Sequence, residues 1–279
     1  MKELELFTSI KNGLGEGPYY YTKTKDISFV DIVNKKLVIV EKSGNIKEVL
    51  FPEKVSAAVP LENSVGYIVC GESHLYLYKN NEITEYKDIS NLVKPGMRCN
   101  DAKADALGRL FFSIMDDMGH NNIGALYLLD NGKIKLVEDN IKLGNGMAWN
   151  KASTKFYFID SARHECYSYD YDLKAGAISN KKVLFKIDEI PDGMSIDASD
   201  NLFVALWGSS RIEVRNSNTG DVIDIINIPT KLITSCTFIG DDFKNLLITT
   251  ASLEEKDLYA GRVFKLKLDN YVGREENYF

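Results

Sequence analysis

Apolar residues along this chain come in short runs and not at helical spacing. No long segment places them at i, i+3, i+4 and i+7 between capping residues. Runs such as Ile27-Ser28-Phe29-Val30, Phe156-Tyr157-Phe158-Ile159 and Leu246-Leu247-Ile248-Thr249 are aromatic or β-branched and bounded by turn formers, which predicts strands. The residues just before such runs are Asp26, Gly66, Arg109, Lys155, Asn201 and Asn245, at intervals of 40, 43, 46, 46 and 44. Each run is followed about ten residues later by a second one, for example Lys36-Leu37-Val38-Ile39-Val40 or His74-Leu75-Tyr76-Leu77-Tyr78. A third often follows, as in Ile134-Lys135-Leu136-Val137.

A period of 40–46 residues with about four strands per unit predicts propeller blades. Six units predict an all-β chain folded as a six-bladed β-propeller. With no linker-like stretch in between, residues 1–279 read as one domain. The last unit stops short, so Leu4-Glu5-Leu6-Phe7 is expected to complete it, closing the ring and covering a free edge. A pair of β-sandwiches would not repeat six times at this interval.

In a propeller the innermost strand of each blade lines the central channel, and here it should lie just before each marked run. Counting back nine or ten residues from the markers gives Glu16, Ser56, Asn100, Asn145, Asp192 and Ser235. All six offer oxygen. Three precede glycine, in Glu16-Gly17, Asn145-Gly146 and Asp192-Gly193. Asn-Gly and Asp-Gly are also hairpin-turn pairs. Glu-Gly is not, however, and Asn145-Gly146 runs straight into Met147-Ala148-Trp149, so a shared site is the stronger expectation. Glycine would also let the backbone approach a ligand closely.

Two carboxylates and a carboxamide at one channel mouth carry a net charge of −2, which burial makes unfavourable without a counter-cation. All-oxygen ligation suits a hard divalent ion, Ca²⁺ above all, with Mg²⁺ or Mn²⁺ as alternatives. Zn²⁺ with oxygen ligands alone is less usual but stays open. His74, His120 and His164 fall off this phase and are expected on the surface or in loops. Asp101, next to Asn100, is expected on the opposite strand face in a structural role. Asp160 and Asp197 are expected to brace blades, and Trp149 and Trp207 to pack within them.

Composition narrows the partners. The 279 residues are 44% hydrophobic and 27% charged, which excludes a disordered or collagen-like chain. The net charge is −6 with no basic block, which argues against nucleic acid or an anionic membrane as partner. The longest apolar run, Leu202 to Trp207, is far too short to span a bilayer as a helix. Residues 1–17 lack a basic start followed by an apolar core, so no signal peptide is expected. Cys70, Cys99, Cys166 and Cys236 are widely spaced, which with no export signal expected reads as four reduced, mostly buried thiols in a cytoplasmic protein. A monomer or weak homo-oligomer is expected.

Several short motifs, taken in order, resemble one family. They are Gly15-Glu16-Gly17-Pro18, Arg98-Cys99-Asn100-Asp101, Asn145-Gly146-Met147-Ala148-Trp149, and Pro191-Asp192-Gly193-Met194 followed by Val204-Ala205-Leu206-Trp207-Gly208. Together, over about Gly15 to Lys267, the chain resembles the gluconolactonase, regucalcin (senescence marker protein) and luciferin-regenerating enzyme family. The resemblance implies a six-bladed propeller with one divalent metal in its channel and hydrolysis of sugar-type lactones. It makes Glu16, Asn145 and Asp192 the metal ligands, Arg98 and Asn100 the substrate-binding pair, and Asp192 the general base. The chain departs from the family where it reads Asn100-Asp101-Ala102-Lys103 and Ser113-Ile114-Met115. A family acidic contact falls near Asp116-Asp117-Met118, where an ungapped count lands on Met118.

The expected reaction is opening of a small-molecule lactone to a hydroxy acid, with water as nucleophile because no G-x-S-x-G elbow is present. The alternatives are a non-catalytic Ca²⁺-binding or interaction propeller, and an esterase or phosphotriesterase using the same metal.

Overall fold

Each inner strand carries the site at a fixed height. These strands are Gly15–Tyr21, Val55–Pro60, Met97–Ala104, Gly144–Trp149, Ile190–Ile196 and Ile233–Ile239. In the computed structural model, which describes residues 4–117, 124–253 and 257–279, each is the first strand of a four-stranded antiparallel sheet. The six sheets form a ring, with each inner strand packed beside the inner strands of the two neighbouring blades. The predicted six-bladed β-propeller is therefore the observed architecture.

The marked apolar runs form the second strands. Leu110–Asp116 is buried from end to end, as expected for a strand covered on both faces by adjacent blades. The core lies between blades, with large aromatics filling the widening wedge. Trp149 packs at 4.8 Å from Phe156 and 5.2 Å from Phe111, taking the packing role assigned to it. The outermost strands are largely exposed and carry lysines, for example Lys181 and Lys182, which keeps their edges from pairing with other chains.

The expected closure is present. Leu4–Leu6 pairs antiparallel with Phe264–Lys267, so the first segment of the chain completes the last blade. After Lys267 the chain crosses the propeller at the end of the inner strands away from Arg98 and Asn100. There the Glu276 carboxylate accepts from Lys103 Nζ at 2.8 Å and from Ser195 Oγ at 3.3 Å. Asn277 Nδ2 donates to Ala104 O, and Phe279 N to Pro60 O. The tail thus ties the second, third and fifth blades together.

All six inner strands have a β-bulge at the same level. The extra residue falls between Glu16 and Tyr19, Val55 and Ala57, Cys99 and Ala102, Asn145 and Met147, Pro191 and Met194, and Ile233 and Ser235. A bulge re-aims side chains out of the strict alternation of a strand. It corrects the expectation for Asp101: the bulge turns this residue toward the channel, where it lines a narrow void with Gly17, Tyr19, Ala57 and Ser235.

The glycines serve strand-to-strand approach and not only ligand approach. A Cβ on Gly146 would lie 2.6 Å from Met194 Cβ and 2.8 Å from Asp192 O, both on the next inner strand. Gly146→Ala should therefore push two blades apart and destabilise the protein by about 1–3 kcal/mol. A urea midpoint unchanged from wild type would contradict this close approach.

Candidate active site

Four of the six phase residues reach one cavity. Glu16, Asn100, Asn145 and Asp192 line a space of about 300 Å³ at the mouth of the channel, with Arg98, Ser161, His164 and an apolar wall. Ser56 and Ser235 do not reach it. The Ser56 hydroxyl faces Cys70 O at 3.5 Å, and Ser235 lines the narrow void below. In the sixth blade the bulged residue is Thr234, whose hydroxyl donates to Gly15 O at 2.6 Å and ties the last blade to the first.

A chain of hydrogen bonds runs across the floor. Arg98 Nη1 donates to Asn100 Oδ1 and to Cys99 O, both at 2.8 Å. Asn100 Nδ2 donates to Asn145 Oδ1 and to Gly144 O, both at 2.9 Å. Asn145 Nδ2 donates to Ser161 Oγ at 2.9 Å. Both Asn100 N–H donors are then used, and their effect is to fix which way Asn145 faces. Asn145 Oδ1 keeps a second lone pair for another partner. Arg98 is only 8% exposed, and its Nε donates to Asp117, which also pairs with Lys54 at 3.1 Å. Arg98 Nη2 has no partner among the described residues.

The two carboxylates are poorly compensated. Among the described residues Glu16 accepts only from its neighbour, Gly17 N, at 3.0 Å. Asp192, 7% exposed, makes no hydrogen bond or ion pair among the described residues. Burial, followed by the charge of Asp101, pushes the Glu16 carboxyl up to about 8, against the pull of Gly17 N–H and Arg98. Burial first, then Glu16 and Asp101, holds Asp192 well above the usual carboxylate range. Asp101 itself is pushed up to about 6, chiefly by burial and against the pull of Lys103. Three carboxylates thus crowd the channel with one guanidinium beside them.

Such a donor set fits a hard cation. Glu16 and Asp192 supply two charges with free lone pairs, and Asn145 a carboxamide oxygen already turned by Asn100. Among the described residues no group of three or more His, Cys, Asp or Glu forms a metal cluster; this set is two carboxylates and a carboxamide.

Other expectations meet mixed outcomes. Asp160 and Asp197 brace blades as expected. Asp160 accepts from Lys142 N and Leu143 N, both at 3.0 Å, and Asp197 accepts from Ser199 N and Asn201 N. All four cysteines are free and buried. Trp207, expected to pack within its blade, instead lines the cavity; His164 lies in a turn, as expected, and also lines the cavity. His164 Nδ1 lies 2.8 Å from Glu189 O. Asp117 meets Arg98, whereas Met118 and His120 lie outside the described residues. Ser161, missed from the sequence, sits in a 3₁₀ turn over Ser161–Arg163, where no repeat phase marks it.

Fold and cavity together define a propeller whose channel mouth gathers acidic and amide oxygens beside a buried arginine. The chain belongs to the family described as the SMP-30/Gluconolactonase/LRE-like region, whose profile matches residues 14–252. It is 30% identical over 268 residues to the putative sugar lactone lactonase YvrE of Bacillus subtilis, covering 92% of this chain and 91% of that one. It is 31% identical over 258 residues to regucalcin of Danio rerio, covering 89% and 86%. A solved luciferin-regenerating enzyme superposes with a TM-score of 0.92 at 28% identity, covering 99% of this chain and 98% of its own. The family supports a lactonase type of activity on a small molecule.

The raised carboxyls have a signed consequence for stability. Folded metal-free protein holds a proton on Glu16 between about pH 4.5 and 8 that the unfolded chain has lost, and Asp192 acts in the same direction. Stability of chelated protein should fall as pH rises through that window. Its melting temperature should drop steadily from about pH 5 to 8, and Glu16→Gln should flatten the slope. A chelated wild type that becomes more stable across the same range would contradict the burial of these carboxylates.

Proposed function

We propose that this protein is a divalent-metal-dependent hydrolase that opens a lactone ring with water. The observation that carries the reading is the pair of uncompensated carboxylates, Glu16 and Asp192, sharing one cavity with an oriented Asn145 and a buried Arg98. Glu16, Asn145 and Asp192 are the residues to hold the cation. Ca²⁺ is the first choice because every donor is a hard oxygen, with Mg²⁺, Mn²⁺ or Zn²⁺ as alternatives. When bound, such an ion supplies Lewis acidity that polarises the carbonyl and eases loss of a proton from water.

The chain's own groups do the rest. Arg98 offers its Nη2 donors to a substrate oxygen, while Asn100 keeps Asn145 in place. Asp192 takes the proton as the water oxygen bonds to the carbonyl carbon. The ring C–O bond then breaks, and the ring oxygen leaves as a hydroxyl by accepting that proton. The product is a hydroxy acid. Ligation lowers the basicity of Asp192, and the same cation lowers what is asked of it. The name of the Bacillus subtilis relative supports the ring-ester substrate class. Four buried free thiols accord with a cytoplasmic setting.

Acid release from a panel of lactones, with Ca²⁺, Mg²⁺, Mn²⁺ or Zn²⁺ added, tests the reading. Wild type should hydrolyse at least one lactone in a metal-dependent way. Arg98→Ala should raise KM and lower kcat/KM roughly ten- to hundred-fold, the value of one charge-assisted contact of about 1.5–3 kcal/mol. Rates equal to metal alone in both proteins would sink the hydrolase and favour a non-catalytic, cation-binding propeller.

A further inference from the structure

The residues two places before the channel donors share a second repeat phase. They are Leu14, Lys54, Arg98, Leu143, Ile190 and Ile233. Leu14, Arg98, Leu143 and Ile190 line the cavity, so three of the four are aliphatic. Two are fixed by buried aspartates. Asp31 accepts from Gly13 N at 3.0 Å and Leu14 N at 3.2 Å, as Asp160 does from Lys142 N and Leu143 N. Ile190 stands opposite Trp207 in its sheet and stays 39% exposed. Ile32, Met115 and Trp207 extend the same wall. Leu143, Ile190 and Trp207 keep part of this wall open to the cavity, whereas Ile32 belongs to the core and Leu14 packs against it.

The polar capacity of the cavity is small by comparison. Both Asn100 N–H donors are spent, Asn145 is oriented by Asn100 and Ser161, and His164 Nδ1 faces Glu189 O. Once the carboxylates hold a cation, the side-chain groups left to a ligand among the described residues are Arg98 Nη2, the second Asn145 N–H, the Ser161 hydroxyl and the far ring nitrogen of His164. These groups gather on one side of the cavity, so ring hydroxyls laid against Leu14, Leu143 and Ile190 would go unmet, and each unmet group costs affinity.

Resting on the lactone-hydrolase reading, we infer that the substrate is a lactone whose ring carries an alkyl or aryl substituent, with few hydroxyls. The carbonyl end faces Arg98 and the acidic floor, and the substituent lies against Leu14, Leu143, Ile190 and Trp207. This differs from the sugar-type lactone expected from the family resemblance. The apolar wall decides it, since each methylene buried there should raise affinity roughly fourfold.

The experiment compares kcat/KM for δ-lactones bearing a propyl or pentyl chain with that for glucono-δ-lactone, using full-length protein and Ca²⁺. Binding of the matching non-hydrolysable lactams is measured by calorimetry. The pentyl lactone should be at least tenfold better than the sugar lactone and better than the propyl one. Ile190→Asn and Leu143→Asn should each narrow that preference several-fold. Equal or better use of the sugar lactone would overturn the apolar-substrate inference while leaving a lactonase. Tight binding of the pentyl lactam without turnover of any lactone would support the inference about the wall and overturn hydrolysis. Failure to bind the alkyl lactams would overturn the inference.

Discussion

One extra residue in each inner strand governs the channel mouth. A regular strand would send alternate side chains up and down the blade, and no two consecutive residues could face the axis. The bulge breaks that alternation at the same height in six blades. It presents Glu16, Asn100, Asn145 and Asp192 together, and it also brings Asp101 into the channel. Glycines at 146 and 193 follow from the same constraint, because bulged inner strands at a narrow axis leave no room for a Cβ.

Crowding of this kind has an electrostatic cost that the fold does not offset by itself. Arg98 lowers the acidity penalty on both Glu16 and Asp192 but is itself drawn outward to Asp117. Gly17 N–H is the one donor to Glu16, and Asp192 has none among the described residues. Carboxylates that only support structure look different in this same molecule. Asp31, Asp160 and Asp197 are buried too, yet each is met by backbone N–H donors. The contrast between satisfied and unsatisfied acids separates scaffold from site, and it is why a cation suits the channel.

The blades were legible because strand period and repeat period are both simple functions of sequence. The markers from Asp26 to Asn245 pick out the second strands, and counting back reaches Glu16, Asn145 and Asp192. Strand alternation puts Asp101 on the face away from the channel, and the bulge between Cys99 and Ala102, invisible in the sequence pattern, reverses it. Trp207 was assigned to packing because an apolar strand end reads the same whether it faces a neighbour or a cavity. The aliphatic residues Leu14, Leu143 and Ile190 were in reach, since the spacing that put Arg98 beside Asn100 applies to every blade. Ser161 and the C-terminal tail were not, because both lie outside the repeat.

The central claim is that Glu16, Asn145 and Asp192 converge on one hard cation. Anomalous diffraction from crystals equilibrated with Mn²⁺ or Ca²⁺ tests it most directly. The account predicts one strong peak at the channel mouth, within ligand distance of one oxygen from each of the three residues. A channel mouth holding only water, with the ion absent or bound elsewhere on the surface, would contradict it.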